Sequence, residues 1–139
     1  MQFRILQQSD LDYMADHSAL DREYYKKPPE PVDYAYTLEH EGKVLIIGGF
    51  RMITDATALC WIDLSDIGME RIFTCYRAIV EWMDMFCHEH NIVRLEACVR
   101  SGFDKGARLV EHLGFEFEGR KPRYFEAVDG LLYVRYFGV

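Results

Sequence analysis

No run in this sequence approaches the ~18 consecutive apolar residues that a membrane-spanning helix needs. The start, MQFRILQQSD, also lacks the basic and then apolar layout of a signal peptide, so an intracellular setting is the expectation. The four cysteines, Cys60, Cys75, Cys87 and Cys98, form no C-x-x-C pair, which argues against a disulfide or zinc framework and for small buried hydrophobes. Basic charge is short as well: 16 Lys and Arg against 23 Asp and Glu leave a net charge of -7. Cations gather mainly at Arg120, Lys121 and Arg123, too few to track a phosphate backbone, so no nucleic-acid partner is predicted. An acidic balance serves solubility or suits a cationic substrate such as an amine. Repeats and low-complexity tracts are absent too. What is present is core material: 139 residues, 50% hydrophobic and 14% aromatic, predict a single domain spanning 1–139.

Periodicity divides the chain into elements. Phe3 and Ile5 alternate with Arg4 as a first strand, and Ser9 with Asp12 forms an S-x-x-D start for a helix from Asp10 toward Tyr25. Lys26-Lys27-Pro28-Pro29-Glu30-Pro31 then breaks that helix as a stiff loop. Tyr34, Tyr36 and Leu38 alternate, His40 to Lys43 turns, and Val44 to Ile47 returns as a hairpin; Gly48-Gly49 suggests a bulge or a close backbone approach. Ala58 to Leu64 reads as the next strand, with Trp61 on one face and Cys60 and Ile62 on the other.

Ile72, Tyr76, Ile79, Val80, Met83 and Phe86 fall on one stripe of a long helix from about Glu70 to Asn91. Cys87, His88 and His90 close it, where histidines suit the helix dipole; no metal site is predicted. Leu95 to Val99 is a short apolar strand. Asp104 is placed to cap a helix carrying Ala107, Val110 and Leu113, Gly114 to stop it in the left-handed region, and Phe115 to Phe117 to start another strand. Pro122 interrupts an extended segment, Asp129-Gly130 turns, and Leu131 to Phe137 closes the chain.

The block Ala107-Arg108-Leu109-Val110-Glu111-His112-Leu113-Gly114-Phe115, followed by Glu118-Gly119, resembles the last conserved block of the GNAT superfamily of N-acetyltransferases, and the element order matches that family's order. The resemblance implies an α/β fold, a GNAT-like acyl-CoA N-acyltransferase fold with a mixed sheet of about seven strands and helices on both faces. It implies that Ala58–Leu64 and Leu95–Val99 are neighbouring parallel strands, joined by the long helix, that splay to admit the pantetheine arm of acetyl-CoA. The middle of the chain, Glu41 to Gly49 with Cys60-Trp61 and Ser65-Asp66, is similar to small GNAT-like proteins of bacteriophages.

Two function classes follow from the resemblance. One is an acetyl-CoA-dependent N-acetyltransferase that acetylates a primary amine, on a small molecule or a protein, by direct attack. The other is a catalytically degenerate relative serving as a virion component or interaction module; the first is preferred. The expected setting is the cytoplasm, of a host if the chain is phage-encoded, or the virion, and a homodimer is among the expected assemblies.

The family's phosphate loop at the start of the long helix corresponds to Ser65-Asp66-Ile67-Gly68-Met69-Glu70-Arg71, which keeps one glycine, Gly68, and lacks the second. Leu64, Ser65, Gly68, Met69 and Arg71 are therefore the expected cofactor-binding residues, with weak acetyl-CoA binding. The family's tyrosine proton donor falls on Val110 and its asparagine on Phe103, neither able to play the part; Tyr124 or Tyr133 is the substitute. Asp63 is the first candidate base and Glu96 the second. Alternation puts Asp63 on the face of Trp61, and an aromatic wall raises a carboxylate's pKa as a base for an ammonium substrate requires.

Overall fold

The computed structural model describes residues 2–19 and 34–138. Eleven elements follow in the order β1 Gln2–Ile5, α1 Gln8–His17, β2 Tyr34–His40, β3 Lys43–Met52, β4 Thr57–Leu64, α2 Asp66–Glu70, α3 Ile72–Glu89, β5 Arg94–Arg100, α4 Asp104–His112, β6 Glu116–Phe125 and β7 Val128–Tyr136. The strands form one seven-stranded mixed sheet, ordered β1-β2-β3-β4-β5-β7-β6, with flanking helices. As the sequence predicts, β4 and β5 pair in parallel, Thr57 opposite Arg94, Ala58 opposite Leu95 and Leu59 opposite Glu96. No helix among the described residues is long and apolar enough to cross a membrane. The proline-rich segment around Pro28 to Pro31 lies outside the described residues.

The chain divides into two compact units, Met1–Arg51 with Trp61–Arg77, and Met52–Cys60 with Ala78–Val139. In the first, β1 pairs with β2 and β2 with β3, all antiparallel. Met14, Val44 and Ile47 form a core against which Leu6, Leu11, Tyr13 and Trp61 pack, so α1 covers the sheet face that carries Trp61. Gly48 lies within β3 where an added Cβ would come 2.8 Å from the Trp61 carbonyl, the close backbone approach its sequence position suggests. Helix α1 starts earlier and ends sooner than expected. Gln7 is its N-cap and accepts no help from Ser9: the Gln7 N–H donates to Asp10 Oδ2 at 2.8 Å. At the other end, Ser18 turns extended and bridges to Ser65, so a tertiary strand contact stops the helix at His17, well before Tyr25.

Arg4 fixes the start of this unit. Its guanidinium donates to both carboxylate oxygens of Asp10 at 2.8 Å and to Glu39 Oε2 at 2.9 Å, while the Thr37 hydroxyl donates to Asp10 Oδ2 at 2.9 Å. One buried carboxylate thus ties β1, α1 and β2 together.

In the second unit β5 pairs with β7 and β7 with β6, all antiparallel. Arg135 of β7 donates to Asp84 of α3 and to the Leu113 carbonyl at the end of α4, holding both helices to one sheet face. The C-terminus of α4 is a Schellman turn: Gly114 N–H donates to Glu111 O and Phe115 N–H to Val110 O, both at 3.0 Å, with Gly114 at φ +91°. Its N-cap is Phe103, with no side-chain cap; Asp104, the expected cap, is the first helical residue and serves the dipole instead. The last hairpin turns at Glu126-Ala127, not at Asp129-Gly130, which lie inside β7. Gly130 is there for room, since a Cβ would meet Cys98 Sγ at 2.6 Å. The four cysteines are free thiols; burial pushes Cys75 up to about 11 and Cys87 up to about 12, so they pack as neutral groups.

Two outcomes test this description. Gly114→Val places a β-branched residue in the left-handed region and should cost more than about 1 kcal/mol, read as a lowered Tm; an unchanged Tm contradicts the turn. Burial opposes ionisation of Asp10, but Arg4, the Gln7 N–H and the Thr37 hydroxyl outweigh it and hold its pKa below the usual 3.8. A depressed folded pKa stabilises the fold above the unfolded value, and the contribution is lost as pH falls through the folded value. Asp10→Asn should therefore cost about 1.5–3 kcal/mol at pH 7 by urea denaturation, with the gap to the parent narrowing below the usual carboxylate pKa of 3.8.

Candidate functional site

Six of the expected site residues cluster at the junction of β4 and α2, in the first unit, because that junction is where a strand ends and a helix starts. Ser65 organises it. This fully buried residue is the N-cap of α2: its Oγ accepts the Gly68 N–H at 3.0 Å and donates to the Val44 carbonyl at 2.6 Å. Its own N–H donates to the Leu45 carbonyl at 3.0 Å. Helix α2 lasts only to Glu70, and Arg71, with φ -111° and ψ 36°, separates it from α3. The long helix expected from about Glu70 is α3, which starts at Ile72, and α2 is a separate short helix before it. Gly68 in α2 is pressed so closely on β3 that an added Cβ would lie 2.2 Å from the Leu45 carbonyl oxygen.

That contact changes the meaning of Gly68. The residue type is required by helix-to-strand packing, and its N–H is already taken by the Ser65 hydroxyl. Met69 is half-buried and donates its N–H to the Ser65 carbonyl, while Arg71 is exposed. For the phosphates of a coenzyme the junction therefore offers the exposed Arg71 cation and the positive end of the α2 dipole, a partial fit.

Asp63 sits one residue before Leu64 and is 7% exposed. Its Oδ1 accepts from Ser18 Oγ at 3.0 Å and from the Leu64 N–H at 2.8 Å. The Leu64 carbonyl accepts the Ala19 N–H at 2.8 Å. Asp63 and Trp61 thus both address α1 and the turn after it, as alternation along β4 predicts. Trp61 Nε1 is buried without a hydrogen-bond partner among the described residues.

Glu96 and Tyr124 belong to the second unit and are not brought together. Glu96 lies opposite Val134, and Tyr124 lies against Gly130, four positions away along β7. Arg94 Nε donates to Glu96 Oε2 at 2.9 Å, and the rest of the guanidinium grips Glu118, which also accepts from Tyr136. The hydrogen bonds from Arg94 hold Glu118 below its ordinary carboxylate value. Glu96 is therefore one arm of an ion-pair network, which sequence spacing did not reveal. Tyr124 is exposed on β6, edge-on to Phe125 with Lys121 over its ring. Tyr133 is buried, its hydroxyl donating to Glu111 Oε1 at 3.4 Å, and burial followed by that carboxylate raises its pKa. Val110 is buried within the Schellman turn. Among the described residues no group of three or more His, Cys, Asp or Glu is placed to hold a metal ion.

Ser18 escaped the sequence reading because it fell inside the expected helix. Only the stop at His17 exposes its side chain to β4.

No protein-family model matches the sequence, and no curated protein matches it significantly. Solved structures do match. The chain is similar to a spermidine N-acetyltransferase SpeG chimera of Vibrio cholerae and hSSAT, with a TM-score of 0.72 at 16% identity over 98% of this chain and 96% of that one. It is similar to the ribosomal-protein-S18-alanine N-acetyltransferase of Escherichia coli, with a TM-score of 0.71 at 16% identity over 99% and 94%. Streptococcus mutans smu.2055 matches with a TM-score of 0.69 at 14% identity over 98% and 99%. At such identities the likeness establishes the GNAT acetyltransferase fold.

The junction makes its own prediction. Ser65→Ala removes the cap of α2 and leaves two buried partners unpaired, so it should cost about 1–3 kcal/mol in chemical denaturation; parental stability would contradict the role given to its hydroxyl.

Proposed function

We propose that the chain is a single-domain, acetyl-CoA-dependent N-acetyltransferase that modifies a primary amine, on a small molecule or a protein, by direct attack on the thioester. The observation that carries this reading is Asp63, a buried carboxylate at the end of β4 beside the Leu64 N–H, on a fold shared with a spermidine N-acetyltransferase and a ribosomal-protein-S18-alanine N-acetyltransferase.

Asp63 is the base in preference to Glu96. A proton taken up by Glu96 breaks its ion pair with Arg94, whereas Asp63 stands buried at the end of β4, next to the Leu64 N–H. Bound acetyl-CoA supplies an acyl carbon already activated as a thioester. Asp63 takes a proton from the ammonium group and frees the nitrogen lone pair. The nitrogen–carbon bond forms, the carbon–sulfur bond breaks, water protonates the departing thiolate, and the hydroxide so formed takes the second proton from the nitrogen, so that the products are an acetamide and a free thiol, with the first proton on Asp63 released to solvent. In this reading the Leu64 N–H serves the developing oxyanion; protonation of Asp63 weakens Oδ1 as its acceptor and releases it for that purpose. With valine at 110, no side chain on α4 replaces the family's tyrosine, and turnover is slow. Ser65 and Gly68 shape the loop, and Arg71 with the positive end of α2 takes the phosphates, weakly.

One observation favours the degenerate class instead, a virion component or interaction module: Gly68 is fully explained by packing on Leu45. The two part on a thiol-release assay with acetyl-CoA and, as amines, spermidine and a peptide with N-terminal alanine. The enzyme reading predicts amine-dependent release that Asp63→Asn lowers ~10²–10⁴-fold. No release with either amine leaves the interaction module standing.

A further inference from the structure

We infer that Ser18 is a positioning residue that orients the Asp63 carboxylate; the inference rests on the reading of Asp63 as base. Ser18 is 2% exposed and belongs to no helix. Three backbone ties hold it against the end of β4: its N–H donates to Met14 O at 2.9 Å, it forms an antiparallel bridge with Ser65, and the next residue, Ala19, donates to Leu64 O at 2.8 Å. From that fixed place Oγ donates to Asp63 Oδ1 at 3.0 Å.

The Leu64 N–H reaches the same oxygen, at 2.8 Å. This second donor comes from the adjoining residue and moves with Asp63, so it fixes the carboxylate only relative to its own strand. Ser18 comes from 45 residues away and ties the carboxylate to the turn after α1. It therefore holds the carboxylate in one orientation toward the amine. A base that swings out of line loses rate without losing coenzyme affinity, because placement acts on the reacting atoms.

The test is steady-state kinetics of thiol release with acetyl-CoA and spermidine. Ser18→Ala should lower kcat about 10-fold and leave KM for acetyl-CoA within about twofold. In the Asp63→Asn background the same change should have no further effect, since Ser18 acts through a group no longer able to take a proton. Ser18→Thr and Ser18→Val have nearly the same shape, so a folding defect affects both alike; the threonine variant should keep at least a third of the activity that the valine variant loses. A parental kcat in Ser18→Ala, or a second 10-fold drop in the double variant, overturns the role of Ser18 while leaving Asp63 in place. Full activity in Asp63→Asn, or no thiol release by the parent, overturns the base assignment and the inference with it.

Discussion

A single buried hydroxyl, Ser65 Oγ, decides how the first unit is put together. It accepts from Gly68 and donates to Val44, while the Ser65 backbone bonds to Leu45 and bridges to Ser18. Each of these contacts locks a different segment: the start of α2, strand β3, and the turn that follows α1. A fully buried hydroxyl left without partners would cost about 1–3 kcal/mol, so the arrangement is enforced as a set. Asp63 and Leu64 are its neighbours in sequence, and their geometry follows from it.

The second unit is built on a different interaction. Arg135 reaches α3 and the end of α4 from β7, and Arg94 on β5 gathers Glu96, Glu118 and Tyr136. Exposed ion pairs of this kind contribute little individually, and their value lies in fixing strand register through a bidentate guanidinium. The contrast separates the two carboxylates named from sequence: Glu96 is tied to Arg94 within β5, and Asp63 is tied to Ser18 at the turn after α1.

Much of this was legible in the sequence because it depended on local rules. Alternation gave β2 and β4, the apolar run after the His40 to Lys43 turn gave β3, the stripe from Ile72 to Phe86 gave α3, and Leu113-Gly114-Phe115 gave a helix stop whose geometry is a Schellman turn. Where the reading departed from the structure, a distant group had intervened. Helix α1 stops at His17 because Ser18 pairs with Ser65; a short extra helix, α2, precedes the long one, with its Gly68 docked on Leu45; Gly130 sits in a strand because Cys98 leaves no room for a Cβ. Glycine signals a tight place in any sequence, but whether a turn, a strand or a phosphate fills it depends on the partner, which spacing does not encode.

The proposed acetyl-CoA site lies at the β4–α2 junction, where the glycine is used for packing. Isothermal titration calorimetry with acetyl-CoA tests that proposal before any amine is chosen. A saturable heat is expected, with Kd toward the millimolar end of the micromolar-to-millimolar range and binding weaker still in Arg71→Ala. No heat at millimolar acetyl-CoA would contradict it.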